Sequence, residues 1–272
     1  MHNVFDHAAA ALACLDVEQK LSLTAALQRD WTDGTLDATP RTLDPVCGRP
    51  ERPLLVPPAQ LAARGAHTLE GHAALIHAIA HIEFNAINLA LDHIVRFPTF
   101  PAAYIADWIR VAAEEAYHFG LVRDHLQTLG YAYGDFPAHD GLWQMTVRTA
   151  HDPLARMALV PRLLEARGLD ATPPIQRKLQ GIGDTAGVAI LDIILRDEVG
   201  HVAVGDHWFR VLCAERGVEA EVTYRALLAE YAAPWPQPPL NEKARRAAGF
   251  SDAEMLALSS SRQRSANPPK AD

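Results

Sequence analysis

Cysteine is scarce in this 272-residue chain: Cys14, Cys47 and Cys213 are all it has, and their wide separation suggests neither a disulfide framework nor a zinc knuckle. A reducing cytoplasm is the expected compartment. Positive charge is short too. Lys and Arg number 25 against 33 Asp and Glu, a formal net charge of −8, which argues against a polyanion binder driven by phosphate neutralisation. Long apolar runs are also missing, and Met1–Ala13 carries no basic segment ahead of an apolar one. Neither a membrane span nor a secretory leader is therefore expected.

What the chain does have is a hydrophobic content of 49%, enough for one large core with appendages at each end. Val4–Arg29 reads as a helix, and Thr39–Pro58, with six prolines, as an irregular surface strap. Helix-forming stretches follow at 66–96, stopped by Phe97-Pro98, and at 102–129, closed by Gly130. A third begins near Asp140, is kinked or broken near His151-Asp152-Pro153 and ends at Gly168. Thr172-Pro173-Pro174 reads as a fresh helix start, and 185–216 as a long helix after an interruption at Gly181–Asp184. A shorter helix, 218–232, precedes a proline-rich turn and a Ser-rich tail. No β-strand is needed.

The informative chemistry lies in Glu115-Ala116-Tyr117-His118 and Glu198-Val199-Gly200-His201. Each places a carboxylate and an imidazole one helical turn apart on one face. Each is preceded by a helix carrying a Glu among apolar residues: Glu83 lies 32 residues before Glu115, and Glu165 lies 33 before Glu198. An isolated carboxylate on an apolar stripe is costly to bury, and a metal ion offsets that cost. Four carboxylates and two imidazoles make a hard, anionic donor set suited to two divalent first-row ions. Iron is the first choice, with Fe/Mn or Mn/Mn as alternatives. Glu114 and Asp197, each preceding a ligand Glu, are candidates to orient the histidines in a crossed fashion, Glu114 toward His201 and Asp197 toward His118.

This layout resembles that of the ferritin-like superfamily. The likeness extends through His81-Ile82-Glu83, Glu114–Phe119, Tyr133–Trp143, Leu159–Gly168 and Arg196–Ala203, covering roughly residues 65 to 215. Within it the chain looks most like a bacterial ferritin-like domain family, and more distantly like the tRNA hydroxylase acting on methylthio-isopentenyladenosine. The resemblance implies an all-α fold built on a four-helix bundle, two helix pairs with a long crossover, plus extra N- and C-terminal helices. The division that follows is 1–65, helix and strap; 66–216, the bundle; 217–272, helix and tail. The implied ligands are Glu83, Glu115, His118, Glu165, Glu198 and His201.

The function that follows is a non-haem dimetal oxidoreductase using dioxygen or peroxide on a small organic substrate, with an electron donor as a further partner. A ferroxidase or peroxide-consuming enzyme, and a non-catalytic metal-binding scaffold, are the alternatives. A tRNA-modifying role is a minor one, resting on the basic residues Lys243, Arg245, Arg246, Arg262, Arg264 and Lys270, which read more simply as a solvated face. His72, His77, His81 and His93 are assigned packing or surface roles, as are Tyr104 and Tyr117, and His139-Asp140 reads as a helix cap beside Tyr133 and Trp143. Gly187, Gly200 and Gly205 suggest either substrate space beside the metals or close helix packing.

Overall fold

The computed structural model describes residues 2–62 and 64–265, and these are mainly helical, so the all-α expectation holds. The one departure is a two-residue parallel pairing of β1 (His2–Asn3) with β2 (Leu36–Asp37), which the sequence reading did not include. The chain packs as two units, one comprising 1–144 with 178–190, the other 145–177 with 191–272.

The first unit begins with α1 (Val4–Ala13) and α2 (Val17–Thr32), where a single helix was expected. The break has a local cause: Asp16 adopts an extended backbone and its carboxylate accepts the Gln19 N–H at 2.8 Å, starting a new helix. The strap then runs without regular structure to a 3₁₀ turn at Pro58–Gln60.

α3 (Leu69–Arg96) is capped by Thr68, which accepts the Gly71 N–H at 3.0 Å, and ends at Phe97 ahead of Pro98. α4 (Ala102–Thr128) starts after Pro101 and ends at Gly130, whose φ of +82° supplies the left-handed residue that commonly closes a helix. α3 packs along α4; α1 packs on α2 and α3, and α2 also on α4. α3 is long and apolar enough to cross a membrane, but 78% of its most apolar window is buried inside the protein, as a core helix would be.

In the second unit, α5 (Gly141–Arg148), whose last four residues belong here, is followed by α6 (Pro153–Leu159) and a π-helical turn, Val160–Glu165. Of the kink or break expected near Pro153, the structure has the break. α7 (Ala166–Gly181) corrects a further expectation, because the helix runs on through Gly168, Pro173 and Pro174 instead of restarting at Thr172. Thr172 bonds back to the Gly168 carbonyl at 2.8 Å, and the Leu169 carbonyl, which Pro173 cannot reach with a donor, accepts from Asn241 Nδ2 at 3.2 Å.

α8 (Thr185–Arg216) has the expected bounds, and α9 (Ala220–Glu230), α10 (Glu242–Ala247) and α11 (Asp252–Ser265) complete the chain. The last two replace what read as a tail; its remainder, with Lys270, lies outside the described residues. They close over Ala166, Leu169 and Val202 with Ala248, Phe250, Met255 and Leu258. Arg245, read as part of a solvated basic face, is fully buried and pairs with Asp170 at 2.6 Å, while Arg246 pairs with Glu242 and Asp252.

Candidate metal centre

In the first unit the α3–α4 packing brings Glu83, Glu115 and His118 together. All three are buried, and each offers a ligand atom within 4.8 Å of the others'. His118 Nδ1 stands 3.4 Å from Glu83 Oε2 and 3.5 Å from Glu115 Oε2. The register is held by the residues that follow two of them. Phe84, after Glu83, and Phe119, after His118, contact each other at 5.6 Å between ring centroids and both contact Tyr133 of the loop beyond α4.

The electrostatics of this trio are those of acids crowded away from water. Burial, reinforced by the charge of Glu115, pushes Glu83 up to about 7. Burial alone would disfavour the His118 cation, but the close Glu115 and Glu83 carboxylates outweigh it and push that imidazole up to about 12. A proton on His118 is therefore one way to satisfy the two acids. A metal ion is the other. The resemblance implies a pair of divalent cations, and the residues fit such a group. Glu83 Oε2 is buried and makes no hydrogen bond among the described residues. The 3.4 and 3.5 Å separations are within about 0.1 Å of the upper end of the spacing of two donors on one ion, about 3.0 to 3.4 Å for bonds of about 2.1 Å.

In the second unit, Glu198 and His201 lie one turn apart on α8, both buried, with His201 Nδ1 3.8 Å from Glu198 Oε2. Glu165 is buried at the end of the π-helical turn, a distortion that re-aims side chains and recurs at functional sites. Two contacts within the unit hold this turn. Pro161 packs so closely on α8 that a Cβ added to Gly205 would lie 2.4 Å from the proline Cβ. That explains Gly205 as a close-packing residue. Arg162 is fully buried, pairs with Asp206 at 2.6 Å and with Glu254, and stacks over Tyr224 and Phe250. Neither the π-helical turn nor this clamp was found in the sequence; Pro161, four residues before Glu165, is the signal that could have flagged the distortion.

Glu114 accepts from Arg110 at 3.1 Å, and Asp197 from Arg196 at 2.8 Å. The histidines of α3 mostly take packing roles. His77 Nε2 accepts the Gly134 N–H at 2.9 Å, His81 bonds Tyr133 and Asn85, and His93 stacks on Trp108 at 3.8 Å with a hydrogen bond to Tyr104. His139 caps Gly141, Asp140 pairs with Arg49, and Tyr117 is exposed.

A family model described as a protein of unknown function, DUF455, matches residues 13–256. An uncharacterized protein of Haemophilus influenzae is 52% identical over 219 residues, covering 78% of this chain and 76% of its own. No solved structure matches.

Proposed function

This chain belongs to the DUF455 family, and from that premise and its two buried Glu, Glu-x-x-His sets we propose a carboxylate-rich dimetal oxidoreductase of the ferritin-like kind. The six ligands are Glu83, Glu115, His118, Glu165, Glu198 and His201, holding two divalent ions, Fe/Fe first, then Fe/Mn or Mn/Mn. The single observation that carries the reading is the trio Glu83, Glu115 and His118, whose ligand atoms converge without access to water. Burying two carboxylates and one imidazole together is costly for a purely structural core, and a cation relieves the cost.

Bound metal supplies activation of dioxygen or peroxide for oxidation of an organic substrate. The chain's own residues do the rest. The carboxylates hold the ions, the i, i+3 spacing fixes each imidazole beside its glutamate, and the packing of Phe84, Phe119 and Tyr133 keeps bulk water away. Glu114 and Asp197 are proposed to orient the histidines in the crossed pairing.

Elemental analysis of chain purified from cells supplied with iron and manganese tests the reading. Two iron or manganese ions per chain are expected, falling below one in a Glu83→Gln, Glu115→Gln double variant that still folds. Reduced, loaded protein is expected to consume dioxygen, and faster when the right organic compound is added. Equal metal content in wild type and double variant overturns the proposal.

A further inference from the structure

His72, His125 and Asp184 form a second cluster in the first unit, away from the ligands named above in sequence and not used by them. His72 is in the first turns of α3, His125 in the last turn of α4, and Asp184 immediately precedes α8. Both imidazoles turn their Nε2 atoms onto one carboxylate oxygen: His72 Nε2 is 2.6 Å and His125 Nε2 2.8 Å from Asp184 Oδ2. The other oxygen, Oδ1, accepts the Gly187 N–H at 2.8 Å. The carboxylate is thereby fixed from one side and addressed by two nitrogens from the other.

We propose that His72, His125 and Asp184 are the protein ligands of a single zinc-class divalent ion, a site additional to the carboxylate-rich centre. Two neutral imidazoles and one carboxylate are a donor set that zinc and its neighbours accept, with further positions left to solvent. The three ligand atoms lie within 4.8 Å of one another. Bonds of about 2.0 to 2.2 Å in tetrahedral geometry put neighbouring donors about 3.4 Å apart, so the rings retreat from the oxygen by less than about 1 Å as the ion enters, each neutral ring then carrying its proton on Nδ1 and offering the Nε2 lone pair. The side chains are 13%, 10% and 6% exposed, which gives an ion a way in and leaves the rings room for that movement.

Two features hold the carboxylate ready. The Gly187 N–H holds Asp184 Oδ1 at 2.8 Å, which leaves Oδ2 facing both imidazoles. A side chain at position 187 would intrude on it, since a Cβ there would lie 2.4 Å from Asp184 Oδ2. Three segments distant in sequence, ending in a His, a His and an Asp, are thereby tied at one point.

The test uses the full-length chain, stripped with chelator and titrated with Co²⁺ and then Zn²⁺. Wild type is expected to bind one more ion per chain than a His72→Gln, His125→Gln double variant, with visible Co²⁺ bands of a nitrogen and oxygen site that zinc abolishes. A Glu83→Gln, Glu115→Gln variant is expected to keep that ion, which separates this site from the proposed catalytic one. Asp184→Asn retains the capping acceptor for Gly187 and so the fold, and is expected to weaken the ion at least tenfold. Unchanged stoichiometry in the histidine variant, or unchanged affinity in Asp184→Asn, overturns the proposal and leaves the cluster as a doubly hydrogen-bonded helix cap.

Discussion

His118 Nδ1 lies 3.4 Å from Glu83 Oε2, although the two residues sit on different helices, because α3 and α4 pack along their length with Phe84 against Phe119. Metal added to stripped protein is expected to stabilise it through this pair. At an ion concentration of 100 times Kd the gain is about 2.7 kcal/mol, because only the folded chain presents the site. Calorimetry with Mn²⁺, or with Fe²⁺ under exclusion of air, is expected to show a raised Tm that chelator reverses, and a much smaller rise in Glu83→Gln. Equal rises in the two proteins would contradict the role given to Glu83.

Gly205 separates two uses of a small residue. If it serves close packing, Gly205→Ala forces its new methyl into Pro161 and costs about 1 to 3 kcal/mol. If it only left room for a substrate, stability would stay near wild type. Denaturant unfolding of the pair distinguishes the two.

Lys20 is a buried cation with no acid among its hydrogen-bond partners: Nζ donates to Ala11 O at 2.9 Å, Leu12 O at 2.8 Å and Asn88 Oδ1 at 2.8 Å. Burial lowers it to about 8. The unfolded chain therefore holds this proton to higher pH than the folded one, so its contribution to stability rises between about pH 8 and 10.5. Lys20→Met is expected to lose about 2 to 4 kcal/mol near neutral pH, since buried acceptors lose their donor. The gap to wild type is expected to widen as pH rises, and a gap independent of pH would refute the account.

His77 works in the opposite range. Burial lowers it to about 4, and its Nε2 must be unprotonated to accept from Gly134. A folded value below the unfolded one means the stability it provides is complete above about pH 6.5 and is lost as pH falls toward 4. His77→Gln retains an acceptor without the titration. Acid unfolding followed by circular dichroism is expected to show a shallower decline for the variant across that window, and superimposable slopes would exclude the mechanism.

Arg162 clamps the π-helical turn that carries Glu165. Replacing Arg162 by Met leaves Asp206 and Glu254 without that cation in a buried place, and a loss of about 3 to 5 kcal/mol is expected. Thermal unfolding measures it; a loss below about 1 kcal/mol would show that Arg210, which also reaches both acids, suffices.

The helices that carry the candidate ligands were legible because their signals are local. α3, α4 and α8 match expectation to within about three residues, since caps, prolines and terminal glycines act on the backbone beside them. The misreadings share a different cause. Pro173-Pro174 reads as a helix start until Asn241, 72 residues from Leu169, takes up the carbonyl that a proline leaves behind. Arg245 reads as surface until Asp170 is placed beneath it.

By itself the sequence determined the extents of α3, α4 and α8 and which carboxylates and imidazoles share a helical face, because spacing along one helix needs no partner. Only the tertiary structure decided that Glu83 reaches His118, that Gly205 meets Pro161, and that His72 and His125 converge on Asp184 from up to 112 residues away. Such meetings depend on how helices pack, and packing is set by the fit of many side chains at once, which no single motif encodes.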